Sequence, residues 1–362
     1  RVDRRQRQMC IRDRYRVILK HGSKVLWAGF IACALLAIGY WVGLIEATNG
    51  AARWIELGPL GSVQPAEILK FGILLYLAVF LAVRVKEGKI NDFKETLLPV
   101  AVISAFALLF VIVIQKDLGT GMSLTAIVAT MLFVAGINRK IIFGLFGVLL
   151  FAGLFLILTS PHRMERVMTY LQGDSTSTTD GDAYHIQHAK IAIGSGGLFG
   201  VGIGDSVQAS GYLPEAINDS IFAIVGETFG FIGTVALLAL FVALLMRLLG
   251  VMDHMVDLRL KLLAAGVFGW LAAHVILNIA AMIGIFPLTG ITLPLLSYGG
   301  TSMIFMAAAL GLVFQLSKYT VHSSRIKEAT DENSRRGRGV GRTRYACLLY
   351  TSDAADDLLC VD

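Results

Sequence analysis

Long apolar runs broken by short polar connections dominate the chain from Lys24 to Ser317. Runs at 25–46, 66–84, 97–115, 119–136, 139–159, 221–248, 262–286 and 301–317 each approach or exceed the roughly 17–25 residues that carry a helix across a hydrocarbon core. Their apolar positions do not alternate with polar ones as the strands of a membrane barrel do. The pattern predicts an all-α polytopic membrane protein of about eight transmembrane helices, with one large loop at 160–218.

Composition narrows the picture. Of 362 residues, 56% are hydrophobic and 16% charged, a balance that excludes a water-soluble globule. The net charge of +6 sits in short connections and in the tail, without interleaved aromatics, and so points to no nucleic acid. The connections Arg84–Lys94, Asn138–Lys140 and Arg247–Lys261 hold nine basic residues, while the short connections on the opposite side hold only Arg53 and Lys116. Basic connections stay in the cytoplasm, so the 160–218 loop is extracytoplasmic. Cys10, Cys347 and Cys360 lie in the tails and Cys33 in an apolar run, which predicts neither a disulfide nor a metal–thiolate site.

The two ends differ from the rest. "RVDRRQRQMCIRDR" (1–14) and "CLLYTSDAADDLLCVD" (347–362) resemble translated adapter read-through and are set aside. This leaves a transmembrane domain at 15–318, its natural chain expected to begin near Tyr15, and a basic cytoplasmic tail at 319–346 whose composition favours disorder. Within the large loop, the low-complexity insert at 173–182 is expected to be flexible and "YHIQHAKIAIGSGGLFGVGIG" ordered.

Several polar residues stand where apolar ones would be cheaper. Glu67 and Lys70 share one face of a helix at i and i+3, which suits either a structural ion pair or a charged cavity wall. Asp117 lies in a very short outer turn, as a helix cap or as an acidic wall. His274 and Asn278 share a face and are expected to make interhelical hydrogen bonds. His185 and His188 share a face without a third metal ligand. The stretch "GSGGLFGVGIG" has the free amides of an anion cradle but lacks a P-loop ending, so tight turns are the alternative. "PLTGITLPLLSYGGTSM", which contains Ser297, reads as a shaped re-entrant connection. Asp219 precedes an apolar helix, as an N-cap or as a general base.

These motifs, with "RWIELGPLGSVQPAEILK", "KDLGTG" and "GYLPEAINDSIFAIVGETFGFIG", stand in an order that resembles the SEDS (shape, elongation, division and sporulation) family across nearly all of 50–317. Members have ten spans, so the resemblance implies a chain lacking the first two. It also implies a glycosyltransferase that polymerises lipid II into β-1,4 glycan strands, with inversion and release of undecaprenyl pyrophosphate, on the outer face of the bacterial inner membrane.

Asp219 aligns with the family's essential aspartate in an "LPEAHTDFIF" type motif, where Ile217, Asn218 and Ser220 replace His, Thr and Phe. The resemblance makes Asp219 the catalytic base and assigns substrate positioning to Glu67, Lys70 and Asp117, with Lys116 in place of a proline. Arg163, Arg166 and Lys190 are candidates for the leaving pyrophosphate, beside the glycine-rich stretch, and Ser297 for substrate contact. No cofactor is assigned, although the chemistry leaves room for a divalent cation, Mg or Mn. "GITLPLLSYGG" and Gly226-Glu227 look more like the division branch, FtsW, than the elongation branch, RodA. Expected partners are a class B penicillin-binding transpeptidase, other divisome proteins and membrane lipids, with location at the septum. A lipid II flippase, a RodA-type elongation polymerase and a silent scaffold are the alternatives.

Overall fold

The computed structural model describes residues 17–43, 52–56, 58, 61–138, 140–141, 144, 147 and 181–317. They form helices α1 (Gly22–Trp41), α2 (Pro65–Lys86), α3 (Phe93–Ile114), α4 (Leu118–Ala135), α5 (Gly181–Ser195), α6 (Ile221–Asp253), α7 (Leu258–Met282) and α8 (Thr301–Leu316). A two-stranded antiparallel ribbon, β1 (Ile55–Glu56) with β2 (Ser62–Val63), precedes α2. Six helices, α1 to α4, α6 and α7, are long and apolar enough to cross a membrane, and α8 is a shorter apolar helix. All but four residues of the span expected at 139–159, the insert at 173–182 but for its last two residues, and both terminal segments lie outside the described residues.

Helix ends follow local chemistry. α1 stops at Trp41, short of the expected 46, because Gly43 turns the chain into the left-handed region at φ 79°. α4 closes on Gly136 in the same way, at φ 85°. α7 begins where the Asp257 carboxylate accepts from Arg259 N and ends ahead of Gly284 and Pro287, short of the expected 286. α3 opens with a π-helical turn over Phe93–Leu97 and closes with another over Leu109–Ile114. Pro99, which brings no N–H to the helix, stands just after the first of these.

The core is built around α2. Leu69, Ile73, Leu74, Leu77 and Leu81 pack with Leu124, Ile127 and Met131 of α4 and with Leu263, Trp270 and Leu271 of α7. Lipid tails are as apolar as these side chains, so such contacts form through close fit, not escape from water. Glycine supplies the fit between α1 and α2. A Cβ on Gly29 would stand 2.7 Å from Leu69 Cα, and one on Gly72 would stand 2.6 Å from Leu26 Cα.

The bundle has two chemically different ends. At one, Arg84 of α2 pairs with Glu87 at 2.8 Å and with Glu95 of α3 at 3.2 Å, among the basic connections. At the other, the starts of α2, α4 and α8 meet, with Gln64 N donating to Thr301 Oγ1 at 3.2 Å and Gln64 Nε2 to Asp117 Oδ2 at 3.0 Å. By the positive-inside rule this second end faces outward.

Replacing Gly72 by Val drives two methyl groups into the α1 backbone. Overpacking of this kind costs about 1–3 kcal/mol. The expected result is a lower thermal unfolding temperature in detergent, measured by circular dichroism, while Gly250→Ala, at an open helical position near the basic end of α6, changes it far less.

Candidate active site

The most deeply buried charges lie in the first turn and a half of α2. Lys70 Nζ is 2.7 Å from Glu67 Oε1, and the two side chains are 0% and 2% exposed. The same ammonium sits 4.8 Å from the centroid of the Trp270 ring on α7. A charge removed from water needs an opposite charge or an oriented multipole, and Lys70 has both. Asp117 is close enough to act electrostatically on Glu67.

From Trp270 a polar ladder climbs α7 at four-residue steps. Indole N–H is only a donor, so Trp270 Nε1 donates to His274 Nε2 at 3.1 Å. That leaves the His274 proton on Nδ1, which donates to Thr292 O at 3.1 Å. One turn further, Asn278 Nδ2 donates to Ile291 O and to Asp219 O, each at 2.7 Å. Both partners are carbonyls, so the amide can point only this way. Of the two side chains expected to make interhelical bonds, Asn278 donates to backbone carbonyls, and His274 binds a backbone carbonyl and, on its own helix, Trp270. They pin the 287–300 connection and the start of α6 to α7.

Asp219 stands at that junction, 9% exposed. The cap position of α6 falls one residue later, on Ser220, whose own side chain makes no cap hydrogen bond. Ser220 Oγ donates to Pro214 O at 3.0 Å and so accepts from His185 Nε2, 2.5 Å away on α5. Tyr298 N donates to Ile217 O at 2.9 Å, joining the 287–300 connection to the same turn. Glu215 turns with φ 50°, its carbonyl accepts from Asn218 N and Ser220 N, and its carboxylate accepts from Asn218 Nδ2. The catalytic candidate is therefore held through its main chain and its neighbours.

Asp117 caps α4. Its carboxylate accepts from Thr120 N at 3.0 Å, Thr120 Oγ1 at 2.8 Å and Gln64 Nε2 at 3.0 Å. Beside it Lys116 has φ 52°, a conformation closed to proline. Arg53 supports that turn, donating to Gln115 O at 3.3 Å and to Lys116 O at 2.9 Å.

The glycine-rich stretch is not an anion cradle in this structure. The amides of Gly200, Val201 and Gly202 donate to Gly196 O, Glu227 O and Thr228 O at 2.7, 2.9 and 3.1 Å. Phe231 N and Ile232 N donate back to Gly197 O and Leu198 O at 2.9 and 3.2 Å. The reason is a break in α6 at Gly230, with φ 66° and ψ −162°, which would otherwise orphan these helix groups. Glu227 adds a second tie, accepting from Ser206 Oγ at 2.5 Å and from Val207 N at 3.1 Å.

Lys190 lays its stem against Gly284, beyond the C-terminal end of α7. Ser297 Oγ accepts from Leu293 N at 2.8 Å, closing a turn of the 287–300 connection. Arg163 and Arg166 lie outside the described residues. His188 bonds Gln208 Oε1 at 2.8 Å. Among the described residues no group of three or more His, Cys, Asp or Glu side chains is placed to hold a metal ion. Trp270 and Gln64 join the site without having been candidates in the sequence, and His185 enters it as a partner of Ser220, not as a metal ligand. For Trp270 the legible signal is its four-residue spacing from His274.

A multi-span bundle with buried charges, a broken helix and a fixed aspartate at its outward end is a membrane protein built around a polar site. The family described as cell cycle protein, FtsW/RodA/SpoVE, matches residues 9–322, and the chain belongs to it. The chain is 37% identical over 300 residues to stage V sporulation protein E of Bacillus subtilis, covering 82% of this chain and 79% of the relative. It is 36% identical over 304 residues to the probable peptidoglycan glycosyltransferase FtsW of Taylorella equigenitalis, covering 81% and 80%. Among solved structures it is similar to a chain of a peptidoglycan synthase complex that coordinates polymerization and crosslinking, with a TM-score of 0.67, 28% identity and coverage of 84% and 82%. It is also similar to Thermus thermophilus rod shape determining protein RodA, with a TM-score of 0.56, 27% identity and coverage of 85% and 81%.

Two predictions follow from the geometry. Lys70→Ala leaves Glu67 buried without its partner, a loss of about 3–5 kcal/mol by analogy with other buried pairs, whereas Glu67→Gln with Lys70→Met recovers most of it. Thermal unfolding of the two variants and the wild type in detergent measures this. Asn278→Ala releases the Asp219 main chain, so amide hydrogen exchange over 215–224 is expected to rise while exchange over α2 stays as in the wild type.

Proposed function

We propose that the chain is a peptidoglycan glycosyltransferase that polymerises lipid II at the outer face of the bacterial cytoplasmic membrane, with Asp219 as general base. The observation that carries this reading is the fixation of Asp219 at the outward end by Asn278, on a chain whose relatives include proteins named peptidoglycan glycosyltransferase. In this scheme the Asp219 carboxylate takes the proton of the acceptor sugar's C4 hydroxyl as its oxygen bonds to the donor's anomeric carbon. The bond from that carbon to the pyrophosphate oxygen breaks, the electron pair leaves with undecaprenyl pyrophosphate, and the configuration inverts.

In our reading Glu67 and Lys70 position the site through Trp270 and the α7 ladder, and Asp117 shapes the outer end by capping α4. Lys190, Arg163 and Arg166 supply positive charge for the leaving pyrophosphate. Ser297 contacts substrate from the 287–300 connection, whose turn it closes. No step is assigned to a metal ion. The division branch is favoured by "GITLPLLSYGG" and Gly226-Glu227, which places the enzyme at the septum with a class B penicillin-binding transpeptidase.

The test is polymerisation of lipid II by the purified chain with that transpeptidase. Asp219→Asn keeps the shape and removes the base, and is expected to lower the rate by about 10²–10⁴-fold with unfolding temperature unchanged. A variant that polymerises at the wild-type rate would remove Asp219 from the base role. Lipid II flipping by a wild type that makes no glycan would favour the transporter instead.

A further inference from the structure

The loop that repairs the break in α6 carries a second property. From Ile191 to Gly204 it has no ionisable side chain, and its tip displays Leu198, Phe199, Val201 and Ile203, with Phe199 79% and Ile203 83% exposed. An aqueous loop of a membrane protein has no reason to present such side chains to water, and each costs about 1.5–3 kcal/mol if left there.

Its depth follows from its pairing. The loop backbone is bonded to Glu227 O, Thr228 O, Phe231 N and Ile232 N of α6. Counting roughly 20 residues of helix, the length needed to cross a hydrocarbon core, outward from Arg247 reaches Thr228. The four bonds thus straddle the outer boundary of the hydrocarbon. Side chains of α6 at this level, Phe229, Phe231 and Ile232, are 48%, 62% and 54% exposed, so the patch continues an existing lipid-facing surface.

Glycine makes the arrangement possible. A Cβ on Gly200 would stand 2.2 Å from Thr228 O, and one on Gly196 would stand 2.0 Å from Gly226 O. The loop lies flat on the helix because those positions lack side chains. Its backbone polar groups are turned toward α6, which leaves its apolar side chains for the opposite side.

We propose that Leu198–Ile203 is an interfacial wedge seated in the outer leaflet, its partner the acyl-chain region of the bilayer lipids. The wedge anchors the outer loop at a fixed height above Asp219's helix. It stands apart from the assignment of activity and can be tested without any turnover.

Single cysteines at Phe199 and Ile203, in full chain from which Cys10, Cys33, Cys347 and Cys360 have been replaced by Ser, are placed in phosphatidylcholine nanodiscs. Lys89→Cys serves as the aqueous reference and Leu240→Cys, on an exposed face of α6, as the lipid reference. Both wedge positions are expected to react with a charged, membrane-impermeant thiol reagent about tenfold or more slowly than Lys89→Cys, because the hydrocarbon boundary excludes ionic reagents. A fluorophore attached there is expected to be quenched by nitroxide-labelled lipids, as at Leu240→Cys. Reaction at the Lys89→Cys rate without quenching overturns the proposal by placing the loop in water. Slow reaction without quenching also overturns it, because protein then covers the patch.

Discussion

A lysine ammonium with no access to water organises this bundle. Lys70 cannot remain charged among leucines without compensation, and the compensation comes from two directions: Glu67 on its own helix and the face of Trp270 on α7. This pins the rotation of α7 relative to α2. Once Trp270 is fixed, His274 and Asn278 fall on the same line, and their bonds to Thr292, Ile291 and Asp219 set the outward end. A neutral pair of packed side chains would join the same helices. It would not select one rotation so sharply.

The second constraint is the cost of irregular backbone beside lipid. α6 breaks at Gly230, and every break exposes amides and carbonyls that hydrocarbon cannot satisfy. The chain solves this with a segment some thirty residues upstream, laid along the break and bonded on both sides of it. Glycines at 196, 200 and 230 are the geometric condition for that contact. Glu227 then fastens the remainder of the loop through Ser206 and Val207.

Much of this was legible beforehand. Apolar runs mark seven of the eight described helices, all but α5, because length and composition suffice when the solvent is a bilayer, and Gly136 marks the end of α4. Asp219 was legible as a motif, and Asp117 as a cap, because both signals are local. Trp270 was not, since a tryptophan in an apolar helix reads equally as packing or as a lipid anchor until its distance to Lys70 is known. The glycine-rich stretch misled for a related reason: free amides and repaired amides have the same sequence, and only the position of the distant Gly230 distinguishes them. Ser220 took the cap position expected of Asp219 because the turn from Glu215 to Ser220 is closed by its own backbone bonds.

The break at Gly230 also divides α6 mechanically. A helix longer than the bilayer is thick tilts to hide its excess apolar length, and the tilt changes with lipid composition. Here the long inner rod and the short outer segment beginning at Ile221 meet at a joint, while the residue before that segment's first turn is tethered to α7 through Asn278. The loop bonded across that joint splints it, so the tether at Asn278 fixes the outer segment against α7 and the splint carries the fixation to the outer end of the rod.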